Sequence, residues 1–474
     1  MSGGGTLGMV RAALEGEPAW LVGGAVRDRL AGGPPATDID VIVDGDVRGA
    51  ARRLARAAHA AAFELSGEFG AWRVVARDHS WQADLNPLRG GSLEADLRLR
   101  DFTVNAIAQP LAGGELIDPL GGTRDLAAGR LRLAGPGALT EDPLRALRLV
   151  RLSCELGLEA DPGARAAARS IGPRLADVAA ERVFGELKRI VSSDRAVAGL
   201  ELAGELGLSG VVLPELEALR GIGQSRFHHL DVHGHTMDVL AGAVALGRDP
   251  AAIVGDDQAD LVRALLAEPL ADDLTRGGAL RLGALMHDIA KPPTRRLMPD
   301  GGVQFVGHDE LGARIVRAIL GRLRASERLT GHVAGLVREH LRLGFLVGDQ
   351  PVGRRAVYRY LDACDGVAAD VTLLSMIDRL ATRGDGSERA IELHMTAARA
   401  ILVDALAWHS AGRPAPVIRG DRLAGELGIE PGPGLGELLA SVAEAHYAGE
   451  ATTPEAAVAV ARQLIMRGET GARR

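Results

Sequence analysis

Along this chain, short apolar bursts give way to long stretches of helical periodicity. Ala19–Val22 is a brief apolar run closed by Gly23-Gly24, which predicts a strand ending in a turn. Val26–Leu30 reads as a short helix, broken by Gly32-Gly33-Pro34-Pro35. Next, Ile39, Val41 and Val43 alternate with Asp38, Asp40, Ile42 and Asp44, the period of a strand. Trp72–Val75 and Trp81–Leu85 predict further strands, and residues 1–17 a loose start with a first helix. Residues 1–135 therefore form a head of mixed strands and helices.

From Asp142 the pattern turns helical. Asp142-Pro143 predicts a helix start, with Asp as N-cap and Pro at the first helical position. A helical neck is expected over 136–222, a third, histidine-bearing helical domain over 223–410, and a short helical tail over 411–474. Within the third domain, the acidic, glycine-containing residues 246–280 read as a loop or insertion. Arg413-Pro414-Ala415-Pro416 reads as a linker. The fold class expected is α+β: a small mixed head followed by mostly helical neck, domain and tail.

Composition agrees with this. The 474 residues are rich in Ala and Leu with only 3% aromatics, which favours helices, so the 62 glycines belong in loops and helix ends. Two cysteines, Cys154 and Cys364, are too few for a disulfide framework and lack zinc-site spacing. No apolar run approaches the roughly 18 residues needed to span a bilayer, and the start does not read as a signal peptide. A soluble cytoplasmic protein with no membrane partner is expected. A net charge of −7 does not by itself suggest a nucleic acid. Locally, Arg145, Arg148 and Arg151 recur every three residues along one helix side. Arg314, Arg317, Arg322, Arg324 and Arg328 form a second cluster, equally readable as a solvated face.

Candidate chemistry begins at Gly23-Gly24. Glycines between a strand and a helix let a ligand approach the backbone, and free N–H groups there favour an anion such as a triphosphate. Alone, such a pair is more often an ordinary turn. Asp38 and Asp40, two apart on a strand, project to one face. Paired carboxylates need a cation, and their oxygens suit Mg²⁺, which also binds substrate phosphates. Asp84 on a later strand is a candidate third ligand.

Gly23-Gly24-Ala25-Val26-Arg27-Asp28 followed by Thr37-Asp38-Ile39-Asp40 resembles the opening motif of class II tRNA nucleotidyltransferases and bacterial poly(A) polymerases, members of the DNA polymerase β superfamily. The resemblance implies a polymerase-β-like head in which Asp38 and Asp40 hold the catalytic Mg²⁺. Gly23, Gly24 and Arg27 would belong to the nucleotide site. Arg100-Asp101-Phe102-Thr103-Val104-Asn105-Ala106 resembles the family's next motif, which recognises ribose and phosphates. Arg100, Asp101 and Asn105 are carried over. This chain has Leu99 where the family has a further arginine, and Arg98 one residue earlier.

Glu141-Asp142-Pro143-Leu144-Arg145, continued by Arg148 and Arg151, resembles the family's base-selecting motif. Asp142 and Arg145 are neighbours on a helix. Cytosine and adenine share an amino donor beside a ring-nitrogen acceptor, which a carboxylate and a guanidinium match. Uracil and guanine present the reverse and are rejected. Glu181-Arg182-Val183-Phe184-Gly185-Glu186-Leu187 resembles the helical motif that follows, read as support for the neck.

In the third domain, His235, the pair His287-Asp288, and Asp378 match the His…His-Asp…Asp signature of the HD phosphohydrolase superfamily. The resemblance implies a divalent metal of unassigned identity, and His308 and His340 allow a second. The resemblance covers nearly the whole chain and implies addition of CCA to the 3′ end of tRNA from CTP and ATP, with HD phosphohydrolase activity as a possible addition. The alternatives are a poly(A) polymerase, a CC-only or A-only enzyme, or an HD phosphohydrolase with an RNA-binding head.

Overall fold

The computed structural model describes residues 3–67, 70–224, 228–348, 351–384 and 386–467; the last residues of the expected tail, 468–474, lie outside them. The chain forms two compact units, Met1–Val212 and Leu213–Arg474.

The first unit opens with a six-stranded sheet in the order β3-β4-β5-β2-β1-β6. The strands are β1 (Ala19–Val22), β2 (Asp38–Val43), β3 (Ala61–Ser66), β4 (Ala71–Val75), β5 (Gln82–Pro87) and β6 (Ala108–Pro110). β2 and β5 run parallel and the other neighbours antiparallel. The alternation read in β2 sorts its side chains. Ile39, Val41 and Val43 enter a core with Leu54, Val74 and Leu85, while Ile42 packs on the opposite face with Leu93 and Leu97. Asp38 and Asp40 share the Ile42 face, so one end of that face is buried and the other carries the carboxylates. The helix Val47–Ala57 covers the core face, capped by Asp46, which accepts from the Gly49 amide at 2.9 Å.

Helices Arg145–Leu156, Ala180–Ser192 and Ala196–Glu205 complete this unit. The expected helix start shifts. Asp142 ends the short helix Ala138–Glu141 in an extended conformation, and the regular helix begins at Arg145 behind Leu144. The Asp142 side chain accepts from the Leu144 amide at 3.3 Å, so it caps a tight turn rather than the helix itself.

The second unit is helical. Helices Val232–Arg248, Arg276–Met286, Glu327–Glu339 and Ala368–Ala381 share a core that includes Val239, Leu280, Leu336 and Leu374. Residues 246–280 are not a loop: they hold helices Ala251–Val254 and Asp256–Ala267 and a small hairpin. Val262, Leu265 and Leu266 are buried at helical spacing, and the exposed acidic residues between them had masked that period. Gly242 is a close-approach point: a Cβ there would lie 2.2 Å from Ile377 Cγ2, so only glycine lets Val232–Arg248 cross Ala368–Ala381 this tightly. Three helices, Gly420–Leu427, Pro433–Tyr447 and Pro454–Met466, form the tail around their own small core. Among the described residues no helix is long and apolar enough to cross a membrane.

Candidate active site and candidate metal centre

Sheet register brings three carboxylates to one surface. Asp40 on β2 is aligned with Asp84 on β5, and Asp84 with Arg73 on β4. Arg73 grips Asp84 with two hydrogen bonds of 2.6 and 2.7 Å. Asp84 is therefore tied across the strands, whereas Asp38 is exposed and Asp40 half-buried. Burial is the largest influence on Asp40; Arg100 opposes it, Asp38 and Asp84 add to it, and the carboxyl is pushed up to about 6. A carboxylate held this reluctantly ionised suits a cation.

Gly23 supplies the space. Its φ is 69°, in the left-handed region, and a Cβ there would fall 2.8 Å from Asp40 Oδ2 and 3.4 Å from Arg100 Nη1. The turn thus leaves an opening between a carboxylate and a guanidinium. Arg100 is steered by Asp96, 3.7 Å away and almost fully buried on the helix Leu93–Arg98. Arg98 points to solvent and Leu99 is half-buried.

The remaining motif residues form one polar chain. Arg27 is buried and donates to Asn105 Oδ1 at 2.6 Å; Asn105 donates to Asp101 Oδ1 at 2.9 Å; Arg148 donates to Asp101 Oδ2 at 3.1 Å. Arg148 also reaches Glu186 at 3.4 Å, which accepts from Arg151 at 2.6 Å. Arg151 is buried and completed by Glu155 at 2.9 Å. Burial alone would raise Asp101, but Arg148 and the Asn105 and Phe102 donors outweigh it and hold the carboxyl below its usual range. Asp101, Asn105 and Arg151 are therefore committed to holding the head's motifs and the neck helices together.

Asp142 and Arg145 are each fixed from outside the pair. Arg182 donates to Asp142 Oδ2 at 2.7 Å, and Arg145 donates to the Ala138 carbonyl at 2.8 Å. Arg182 went unassigned in sequence reasoning beyond its place in a supporting motif. Its distance of forty residues from Asp142 leaves no local spacing to find it by.

In the second unit, His235 Nε2 lies 3.0 Å from Asp378 Oδ1, and His287 Nε2 3.1 Å from Asp288 Oδ2. The other Asp288 oxygen is 3.4 Å from His308 Nε2, which is 3.3 Å from His340 Nε2. His235, His287 and Asp378 form one compact ligand group, and Asp288, His308 and His340 another. Three imidazoles are oriented alike. Nδ1 of His287, His308 and His340 meets the Ala284, Phe305 and Val337 carbonyls at 2.9, 2.7 and 2.7 Å. This pairing leaves Nε2 as the outward lone pair, the usual arrangement of a metal-binding histidine. Nε2 of His235 and of His287 is buried with no hydrogen-bond partner, a cost that a bound cation removes. Burial, then His287 and His308, pushes His340 down to about 4, so it is a neutral imidazole at pH 7. Lys291, three residues after Asp288, reaches Asp288 Oδ2 at 2.6 Å. A cavity of about 400 Å³ opens over these groups, with Lys291, Arg379 and His394 on its walls.

Fold and site together define a nucleotidyltransferase unit followed in the chain by an HD-type helical unit. Residues 19–132 match the Poly A polymerase head domain, 157–219 the probable RNA and SrmB-binding site of polymerase A, and 232–366 the HD domain. The A-adding tRNA nucleotidyltransferase of Deinococcus radiodurans is 37% identical over 93% of this chain and 94% of its own. The CC-adding tRNA nucleotidyltransferase of Thermus thermophilus is 35% identical over 93% of this chain and 92% of its own. A multifunctional CCA protein of Xanthomonas campestris is 31% identical over 85% and 96%. The crystal structure of the Bacillus stearothermophilus CCA-adding enzyme in complex with CTP shares the fold with a TM-score of 0.62 at 21% identity, covering 98% of each chain. The chain belongs to the tRNA nucleotidyltransferase family.

Proposed function

We propose that this protein adds C, C and A to the 3′ end of tRNA from CTP and ATP without a nucleic-acid template. The observation that carries the reading is the opening at Gly23, where the Asp40 carboxylate faces Arg100 with the Asp38 charge acting on it from the same strand face. Asp38 and Asp40 would hold Mg²⁺, and the raised Asp40 carboxyl beside an empty glycine position fits that ion. Bound there, Mg²⁺ makes the RNA 3′-hydroxyl a better nucleophile and offsets charge on the departing pyrophosphate. The 3′ oxygen bonds to the α-phosphorus as the bond from that phosphorus to the α,β-bridging oxygen breaks; pyrophosphate leaves with the bridging oxygen, and the hydroxyl proton passes to solvent. Gly23 and Gly24 admit the triphosphate and Arg100 neutralises it. Asp142 accepts from the amino group of cytosine or adenine, and Arg145 donates to the ring nitrogen. Arg27, Asp101, Asn105, Arg148 and Arg151 act as positioning residues through their shared polar chain. A cytoplasmic location fits a tRNA substrate.

A second reading has its own support. Two long, well-covered relatives from different organisms are each named for part of the task, one as A-adding and one as CC-adding. Purified protein offered tRNAs lacking one, two or three terminal nucleotides, with CTP and ATP singly and together, separates the readings. Ordered C, C, A addition supports ours. Addition of A alone, or of CC alone, selects the divided task, and long A tails reject both.

For the second unit we propose a divalent-metal phosphohydrolase centre held by His235, His287, Asp288 and Asp378, with His308 and His340 completing a second position. Water would add to phosphorus as the ester P–O bond breaks, its proton passing to the leaving alkoxide.

A further inference from the structure

Phe63 stands at the far edge of the sheet that carries the carboxylates. β3 is an edge strand, and the pairing register runs one row across the sheet. Phe63 is aligned with Arg73 on β4, Arg73 with Asp84 on β5, Asp84 with Asp40 on β2, and Asp40 with Val22 on β1. Residues directly opposite one another share a face, so Phe63 projects to the side of Asp40 and Asp84. Its neighbour Ala62 lies on the other side, aligned with buried Val74. Three strand spacings of roughly 4.8 Å put Phe63 about 14 Å from Asp40.

Phe63 is 47% exposed, whereas Ala62 and Trp72, on the other face, pack against the core. Folding gains little from a ring left in water, and an edge strand is normally blunted by charge rather than offered with an aromatic. Between the ring and the carboxylates lies Arg73, on which the Asp38 and Asp40 charges also act. Its two hydrogen bonds make Asp84 half of a neutral pair. Outward from Asp40 the row is therefore a carboxylate, a neutral pair and an aromatic ring. A negatively charged strand can cross the pair without meeting a second bare carboxylate.

Two substrates have to reach the carboxylates from different sides. The triphosphate side is fixed by Gly23 and Arg100, and Gly23 follows β1, on one flank of β2. β5, β4 and β3 lie on the other flank. We infer that this second flank receives the 3′ end of the acceptor RNA, and that Phe63 is a stacking platform for one of its last bases. This rests on reading Asp38 and Asp40 as the polymerising centre. Stacked nucleotides rise about 3.4 Å each, so the distance from Asp40 to Phe63 spans roughly four of them. A ring stacks on the face of any base, so the platform suits an acceptor whose terminal sequence changes as nucleotides are added. It holds the strand without hydrogen bonds that each step would have to break.

The test compares the full chain with its Phe63→Ala and Phe63→Trp variants. The acceptor is an RNA hairpin with a single-stranded 3′ end, intact or with an abasic nucleotide at each of the last four positions in turn. Phe63→Ala is expected to raise KM for the intact hairpin by about tenfold, with KM for CTP and ATP as in the parent. Phe63→Trp keeps the parental RNA KM. At one abasic position the parent loses the same factor, and Phe63→Ala adds nothing further. An unchanged RNA KM, a rise of the same size in nucleotide KM, or penalties that multiply at every abasic position overturn the platform. If the parent adds no nucleotide, the reading of Asp38 and Asp40 fails. Hairpin binding measured without nucleotide then decides the platform: weaker binding by Phe63→Ala supports it, and equal binding rejects it.

Discussion

Asp40 combines two demands that a single residue rarely meets without cost. It must be ionised to hold a cation, yet burial, partly offset by Arg100, and then two neighbouring carboxylates push it up to about 6. The sign of the resulting pH dependence is the reverse of the usual one for a carboxylate. A carboxyl raised in the folded state binds its proton more tightly there than in the unfolded chain, so it lowers stability above pH 6 and is neutral in effect below about 4. In metal-free protein, Asp40→Asn should therefore raise stability by roughly 1–3 kcal/mol at pH 8 and by nothing near pH 3.5. Thermal melts across that range check this. Mg²⁺ should stabilise the parent and not the variant. Arg182 is the second residue with a specific role. It holds Asp142 from an exposed position, so Arg182→Ala should cost under about 1 kcal/mol of stability. Its larger effect should be on discrimination of CTP over UTP, a loss of roughly tenfold in the kcat/KM ratio, partly restored by Arg182→Lys.

At the scale of elements, the neck helices Arg145–Leu156 and Ala180–Ser192 are joined by buried charge. Glu186 receives Arg151 at 2.6 Å and Arg148 at 3.4 Å, and Arg148 passes the connection to Asp101. Removing one partner strands buried charge, so Glu186→Ala should lower unfolding free energy by about 3–5 kcal/mol in denaturant titration. Glu186→Gln, which keeps a hydrogen-bonding acceptor, should lose less. Such elements were unequally legible in the sequence. β2 announced itself because every second residue is apolar, and β1 because a glycine pair ends it. β3 was missed: it is an edge strand whose Phe63 and Leu65 are exposed beside Glu64, so no period of burial marks it. The Asp142-Pro143 start was displaced because Asp142 spends its side chain on the Leu144 turn and on Arg182. Asp38, Asp40 and the HD histidines stood out by residue type and spacing. Lys291, Arg379 and His394 did not, since what joins them is a cavity formed by segments far apart in the chain.

For the whole molecule, the chain is two compact units, with the Asp38 and Asp40 carboxylates in the first and the two His/Asp ligand groups in the second. Two units with their own candidate sites imply separable chemistries. His287→Ala should abolish metal retention by the HD groups, read by elemental analysis of purified protein, while nucleotide addition with Mg²⁺ stays within about twofold of the parent. The same separation runs in the other direction and gives the most direct test of the central claim, that Asp38 and Asp40 make this chain a nucleotidyltransferase. Single-turnover incorporation of labelled CTP and ATP into tRNA lacking its 3′ end should be compared for the parent, Asp38→Ala and Asp40→Ala, alongside tRNA binding. Addition should fall by at least about a thousandfold in both variants, with tRNA affinity retained. Addition at near-parental rates by either variant would contradict it.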